Sequence, residues 1–236
     1  MEVGLLGNKD CVILIQARLY STRLPGKILF KFFDNTIIER VIKIAKEVTD
    51  SKNIFIISGS KKKNKILANI SIKNNVKVFF GHEKNVFLRF KSFLSSSSAK
   101  KYKYVYRITS DNYLIQPLII KRMITDSLKK KIDYAFVSPL SHYAGELISK
   151  KLFIKKIKVT KMAEEHVTWD FRKSNKVNIL KYPNNFLGLN HSKSITLDTI
   201  NDLILLKKIE LKFKGLKKLN NYNYFRKIEK DLLRLK

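Results

Sequence analysis

CVILIQARLYSTRLPGK, residues 11–27, decides how this chain is read. Its first six residues form an apolar run about one buried strand long. The remainder, QARLYSTRLPGK, falls where an open α/β sheet binds ligands, in the loop beyond the carboxyl end of a strand. Arg18, Arg23 and Lys27 stand in that loop with Ser21, Thr22 and Gly26, in a chain with only 9 arginines. Three cations so close together suggest a triphosphate cradle; an exposed basic loop in a lysine-rich chain is the plainer alternative. Neither GxxxxGK[ST] nor GxGxxG is present, so this is neither a P-loop nor a dinucleotide fingerprint.

Working outward, apolar runs alternate with helical periodicity. Strands are predicted at 53–58, 76–80, 102–109 and 133–138, and helices at 35–48, 60–72, 86–94 and from Pro117 to 130. Asn35 or Asp34 is expected to cap the first helix, and the SSSS run at 95–98 to end the third. Between 139 and 196 the pattern weakens, with helices expected near 149–158 and 163–173 and strands near 177–181 and 193–197. A helix follows over 198–209, then a basic C-terminal helix within 211–236. Strands alternating with helices imply a mainly parallel sheet covered on both faces. The expectation is one domain over 1–236 with its core at about 10–210.

Composition narrows the classes. Apolar residues make up 44% and charged residues 29%, which suits a folded globular chain. No apolar run approaches the roughly 18 residues of a membrane span, and no secretory signal is legible at the start, so a cytoplasmic protein is expected. Cys11 is the single cysteine, which excludes an internal disulfide, and it reads as a small buried apolar residue. The net charge of +30 comes from 40 Lys against 9 Arg, beside 28 Ile and 18 Asn. That is the bias of an AT-rich genome more than the arginine-rich footprint of nucleic-acid recognition, so no specific nucleic-acid partner is expected. The four histidines show no zinc-site spacing.

Five segments in order resemble one family. QARxxSTRLPGK at 16–27 resembles the N-terminal signature of the cytidylyltransferases, which include the CMP-sugar-acid synthetases and the spore coat polysaccharide biosynthesis protein F branch. GHEKNVFLRF at 81–90 resembles that branch's G-S-E-x-D-V-L-x-R-Y, and RITSDNYLIQP at 107–117 its R-I-T-G-D-C-P-L-I-D-P. EHVT at 165–168 is typical of it, and TLDTINDLILL at 196–206 resembles T-V-D-T-P-E-D-L-x-L-V. The resemblance implies a nucleotide-diphospho-sugar transferase (GT-A-like) fold: a three-layer α/β/α sandwich around a mixed, mostly parallel sheet. It also implies transfer of CMP from CTP to a sugar or sugar acid with release of pyrophosphate, Mg²⁺ as cofactor, and a homodimer.

Carried over by motif, Asp111 and Asp198 are the implied metal ligands; a turn residue and a helix cap are their plainer alternatives. Mg²⁺ is ordinarily held by one or two carboxylates plus substrate phosphate oxygens. Arg18 and Lys27 would contact the triphosphate, with Lys27 at the α-phosphate and Arg23 and Ser21 shaping the loop. Ser58 to Ser60 occupy the place of the base-contacting loop, and Gly81 to Glu83 and Arg107 would line the same cleft, although Arg107 could equally pair with a structural carboxylate. His142, Tyr143, Gly145 and Glu146 lie in a segment expected to face the acceptor. His166 reads as a hydrogen-bonded core histidine before a sugar or partner contact. Ser110, Tyr113 and Gln116 depart from the family pattern. Two further readings stay open: a glycosyltransferase of similar fold, and a basic polyanion-binding relative without catalysis.

Overall fold

In the computed structural model, residues 10–154, 159–213 and 219–235 are described. Seven strands make one sheet: β1 (Cys11–Gln16), β4 (Ile54–Ser58), β5 (Lys77–Phe80), β6 (Tyr104–Thr109), β7 (Tyr134–Val137), β8 (Glu146–Ser149) and β9 (Ile179–Tyr182), in the order β5-β4-β1-β6-β8-β7-β9. A two-residue hairpin, β2 (Lys31–Phe32) and β3 (Asn35–Thr36), stands apart. β5, β4, β1 and β6 run parallel, whereas β8 runs antiparallel to both β6 and β7. The carboxyl ends of four strands and the amino end of β8 therefore share one edge.

Both faces of the sheet are covered, and β1 shows why its sequence is apolar throughout. Ile13 and Ile15 pack with α1 (Ile37–Lys46), α2 (Ile66–Lys73), α4 (Pro117–Lys129), α8 (Ile200–Lys212) and α9 (Tyr222–Arg234). Val12 and Leu14 point the other way, into an aromatic layer with α3 (Val86–Leu94), α5 (Lys151–Ile154) and α7 (Trp169–Lys173). This is the expected three-layer, mixed and mostly parallel α/β/α sandwich. Among the described residues no helix is long and apolar enough to cross a membrane.

Several local expectations are corrected. The first helix is capped by Thr36, not Asn35 or Asp34: the Thr36 hydroxyl accepts from Glu39 N–H and the Glu39 carboxylate from Thr36 N–H, a reciprocal capping box. The second helix begins at Ile66, because Asn64 is turned inward. The segment 146–149 is a strand, and only 151–154 of the expected 149–158 helix is described as helix; 155–158 lie outside the described residues. The 163–173 helix is two short ones, α6 (Lys161–Glu165) and α7. No strand forms at 193–197: Leu197 N–H instead donates to Asp111 O at 3.4 Å and Ser194 Oγ accepts from His142 N–H at 2.8 Å. Of the C-terminal tail, 214–218 and 236 lie outside the described residues, and the helix is α9.

Candidate nucleotide site at the carboxyl edge of the sheet

The loop after β1 is held by its own backbone and by its neighbours. Gly26 N–H donates to Leu19 O at 2.8 Å, and Leu19 N–H to Asn64 Oδ1 at 3.2 Å. Gly26 has φ 68°, a left-handed conformation that an L side chain seldom takes, and this turn sends Lys27 back under the loop. Lys27 is 7% exposed, and its Nζ meets two carboxylates remote in sequence: Asp111, just past β6, and Asp198 Oδ1 at 2.6 Å. Arg23 adds a contact to Asp198 Oδ1 at 3.1 Å from a largely exposed side chain. Asp198 does not follow a strand as expected. An unpaired segment carries it, pinned to Asp111 O by Leu197 N–H and the Thr196 hydroxyl. Nor does it cap α8, since Thr199 does so with Asp202.

Burial pushes the Asp111 carboxyl up, but the charge and hydrogen bond of Lys27, joined by hydrogen bonds from Thr109 and the backbone, together hold the group below the ordinary carboxylate range. Lys27 Nζ thus stands as a cation at the point where the two carboxylates converge. The donor set fits a divalent ion of the Mg²⁺ kind, which needs only one or two protein carboxylates when substrate oxygens and water complete its shell. Among the described residues no group of three or more acidic, histidine or cysteine side chains could hold a metal alone.

A cleft of about 1070 Å³ opens over this pair. Arg18, Ser21, Arg23 and Lys27 line one wall, with Gly59, Lys63 and Arg89 beyond them. Burial depresses the Arg89 guanidinium more than Glu83 supports it, and repulsion from Arg18 adds to the fall, so two close cations face the same space. The other wall is formed by Arg107, Ser110, His142, Thr196 and the first turns of α6 with His166.

The remaining expected residues fall into three groups. Ser60 and Gly81 are not among the residues that line the cleft; Ser60 N–H donates to Glu83 Oε2 and Gly81 N–H to Ser58 O at 3.0 Å. Ser58 is fully buried and its hydroxyl donates to Ala17 O at 2.8 Å, so its side chain joins two strand ends and does not reach a base; Gly59 lines the cleft in its place. Arg107 lies opposite Glu146 in the β6–β8 register and pairs with it, while its Nε donates to Gln16 at 2.9 Å. Glu146 is therefore a wall residue and not an acceptor contact: Tyr134 and Thr168 also donate to it, the latter at 2.7 Å. Tyr143 is buried against His191 and Phe225, and His142 alone of that segment's side chains faces the cleft.

His166 is exposed at the cleft, correcting the core reading; the buried histidine is His191, held by Ser141 Oγ at 2.6 Å and Phe186 O at 2.9 Å. Sequence reasoning gave no role to Asn64, Arg89 or Thr168. Arg89 and Thr168 lie inside two of the resembling segments, which was their available signal, whereas nothing in the sequence marks Asn64.

Fold and site together define an α/β protein with a cation-lined cleft at the carboxyl edge of its sheet, where proteins of such architecture bind their ligands. The cytidylyltransferase model matches residues 12–222, and the chain belongs to that family. It is 30% identical over 205 residues to the spore coat polysaccharide biosynthesis protein SpsF of Bacillus subtilis (strain 168), covering 82% of this chain and 83% of that one. A cytidylyltransferase structure from Leptospira borgpetersenii superposes with a TM-score of 0.80 at 25% identity, covering 94% of each chain. A CMP:2-keto-3-deoxy-manno-octonic acid synthetase complexed with CTP shares the fold at 13% identity, with a TM-score of 0.63 over 86% of this chain and 97% of that one.

Proposed function

We propose that the protein transfers CMP from CTP to a hydroxyl of a sugar or sugar acid, releasing pyrophosphate, in the assembly of a surface polysaccharide or glycan. Family membership supports the nucleotide, and the names of the Bacillus relative and of the octonic acid synthetase support the product class. The observation that carries the reading is the meeting of Asp111, Asp198 and Lys27 under a loop of cations, at a cleft large enough for a nucleotide and an acceptor.

In this reaction the acceptor oxygen bonds to the α-phosphorus as the bond from that phosphorus to the bridging oxygen breaks. Such transfers depend on positioning and on neutralising phosphate charge. Arg18, Arg23, Ser21 and the backbone of the β1 loop grip the triphosphate, and Lys27, a compact point charge, serves the α-phosphate. Gly59 frames the base. Asp111 and Asp198 would hold Mg²⁺, which when bound supplies further neutralisation of phosphate charge. Arg107, tied to Glu146, forms the floor between the nucleotide and acceptor halves.

The test is thermal stabilisation by CTP, UTP, GTP and ATP with and without Mg²⁺. CTP with Mg²⁺ is expected to stabilise the chain most, by about 2.7 kcal/mol at a hundredfold excess over Kd, and Asp111→Asn to abolish the metal-dependent part together with pyrophosphate release. Equal stabilisation by all four nucleotides would sink the assignment, and metal dependence surviving in Asp111→Asn would sink the metal role.

A further inference from the structure

The peptide between Gly59 and Ser60 is fixed through its N–H, and the peptide that follows it through its C=O. Ser60 N–H donates to Glu83 Oε2 at 2.5 Å, and Ser60 O accepts from Asn64 Nδ2 at 3.0 Å. The Glu83 carboxylate also lies flat against Gly59: a Cβ there would overlap Oε2 and come within 2.9 Å of Glu83 Cδ. Glu83 is in turn held by Arg89, itself 3% exposed, which donates to His82 O at 2.9 Å and to Glu83 O at 2.7 Å. Among the described residues no hydrogen bond occupies the N–H or C=O of Gly59, although Gly59 lines the cleft.

A glycine whose neighbour is fixed and whose own peptide edges are unengaged is suited to reading a planar, hydrogen-bonding ligand. Cytosine presents an amino donor where uracil presents an oxygen acceptor, so a fixed carbonyl accepts from one and repels the other. We infer that Glu83 is a positioning residue that sets the base selectivity of the cleft in favour of cytosine over uracil, by holding the Gly59–Ser60 peptide in one orientation. This rests on the reading of the cleft as a CTP site. Burial of Glu83 pushes its carboxyl up, but the Ser60 N–H and hydroxyl together with the Lys63 and Arg89 charges bring it below the ordinary carboxylate range, so the clamp is an anion at neutral pH.

The experiment measures binding of CTP, UTP and inorganic tripolyphosphate to the full chain by calorimetry, for the native protein, Glu83→Ala and Glu83→Gln. A site built around a hydrogen-bonding base edge rejects the wrong base strongly, so Glu83→Ala is expected to cut the CTP-over-UTP ratio by about tenfold or more and leave tripolyphosphate affinity within roughly threefold. Glu83→Gln, whose amide oxygen still accepts from Ser60, is expected to keep most of the ratio. An unchanged ratio in Glu83→Ala overturns the inference. So does a loss of base selectivity and tripolyphosphate binding together in both variants, which marks general collapse. A native protein that binds tripolyphosphate but does not prefer CTP refutes the underlying reading instead.

Discussion

Two carboxylate–cation clusters sit a few residues apart at the end of β6, and they are built to opposite rules. Around Glu146, one buried carboxylate has three donors, from Arg107, Tyr134 and Thr168, and the charges balance. Around Lys27, one buried ammonium is shared by two carboxylates at the rim of an open cleft, with only the solvent-screened Arg23 to help. The first cluster has nothing left to bind. The second sets two carboxylates against one buried ammonium and one exposed guanidinium at an open cleft, so carboxylate oxygens remain within reach of a ligand.

The comparison is broken most severely from the closed side. Glu146→Ala leaves Arg107, half-buried at the cleft wall, without its counter-ion and two buried hydroxyls without an acceptor, a loss of about 3 kcal/mol. For a chain of this length that lowers Tm by about 10 °C. Thermal and urea unfolding at neutral pH measure it, and a loss under about 1 kcal/mol would mean the network is not the structural wall described above.

Lys27→Met probes the open side, and its effect should depend on pH. Because the folded-state pKa of Asp111 is lowered, its contribution is present above the ordinary carboxylate range of about 4 and is lost as pH falls through the lower folded value. Removing Lys27 abolishes that contribution. The native protein is expected to exceed Lys27→Met by about 2 kcal/mol at pH 7, with the gap narrowing below about pH 4. A gap that stays flat from pH 7 to 3 would deny that Lys27 sets the charge state of Asp111.

The two clusters also differ in how visible they were beforehand. The strands beside the open one were legible, since apolar β1 and β6 announce themselves and ligand residues follow strand ends, but local pattern left the β1 loop open to a plain basic-loop reading, and it was the resemblance to the cytidylyltransferases that singled out Arg18, Lys27 and Asp111. The closed one was not. GELIS reads as irregular because a glutamate interrupts the apolar run, and only the three donors brought by β6, β7 and the residue preceding α7 make a strand tenable there. The stretch 193–197 fails the other way: its alternation suggests a strand, yet its hydrogen bonds go to Asp111 and His142, which no periodicity encodes. Asn64 is similar, an ordinary polar residue made important by two loops converging on it.

The smallest test sharpens the contrast within the closed cluster. Tyr134 is fully buried, and burial together with the Glu146 charge keeps its phenol well above its ordinary pKa, so it stays a donor. Tyr134→Phe removes one hydroxyl without a change of shape and leaves Glu146 with Arg107 and Thr168, a cost of about 1 kcal/mol. Because the Arg107–Glu146 pair still holds the wall, CTP affinity is expected to stay within about twofold of the native value. Thr168→Val alone should behave alike, whereas the double variant strips both neutral donors from one carboxylate and should cost more than the two losses added. Strict additivity in the four unfolding free energies would mean that the hydroxyls act independently and that Arg107 alone neutralises Glu146.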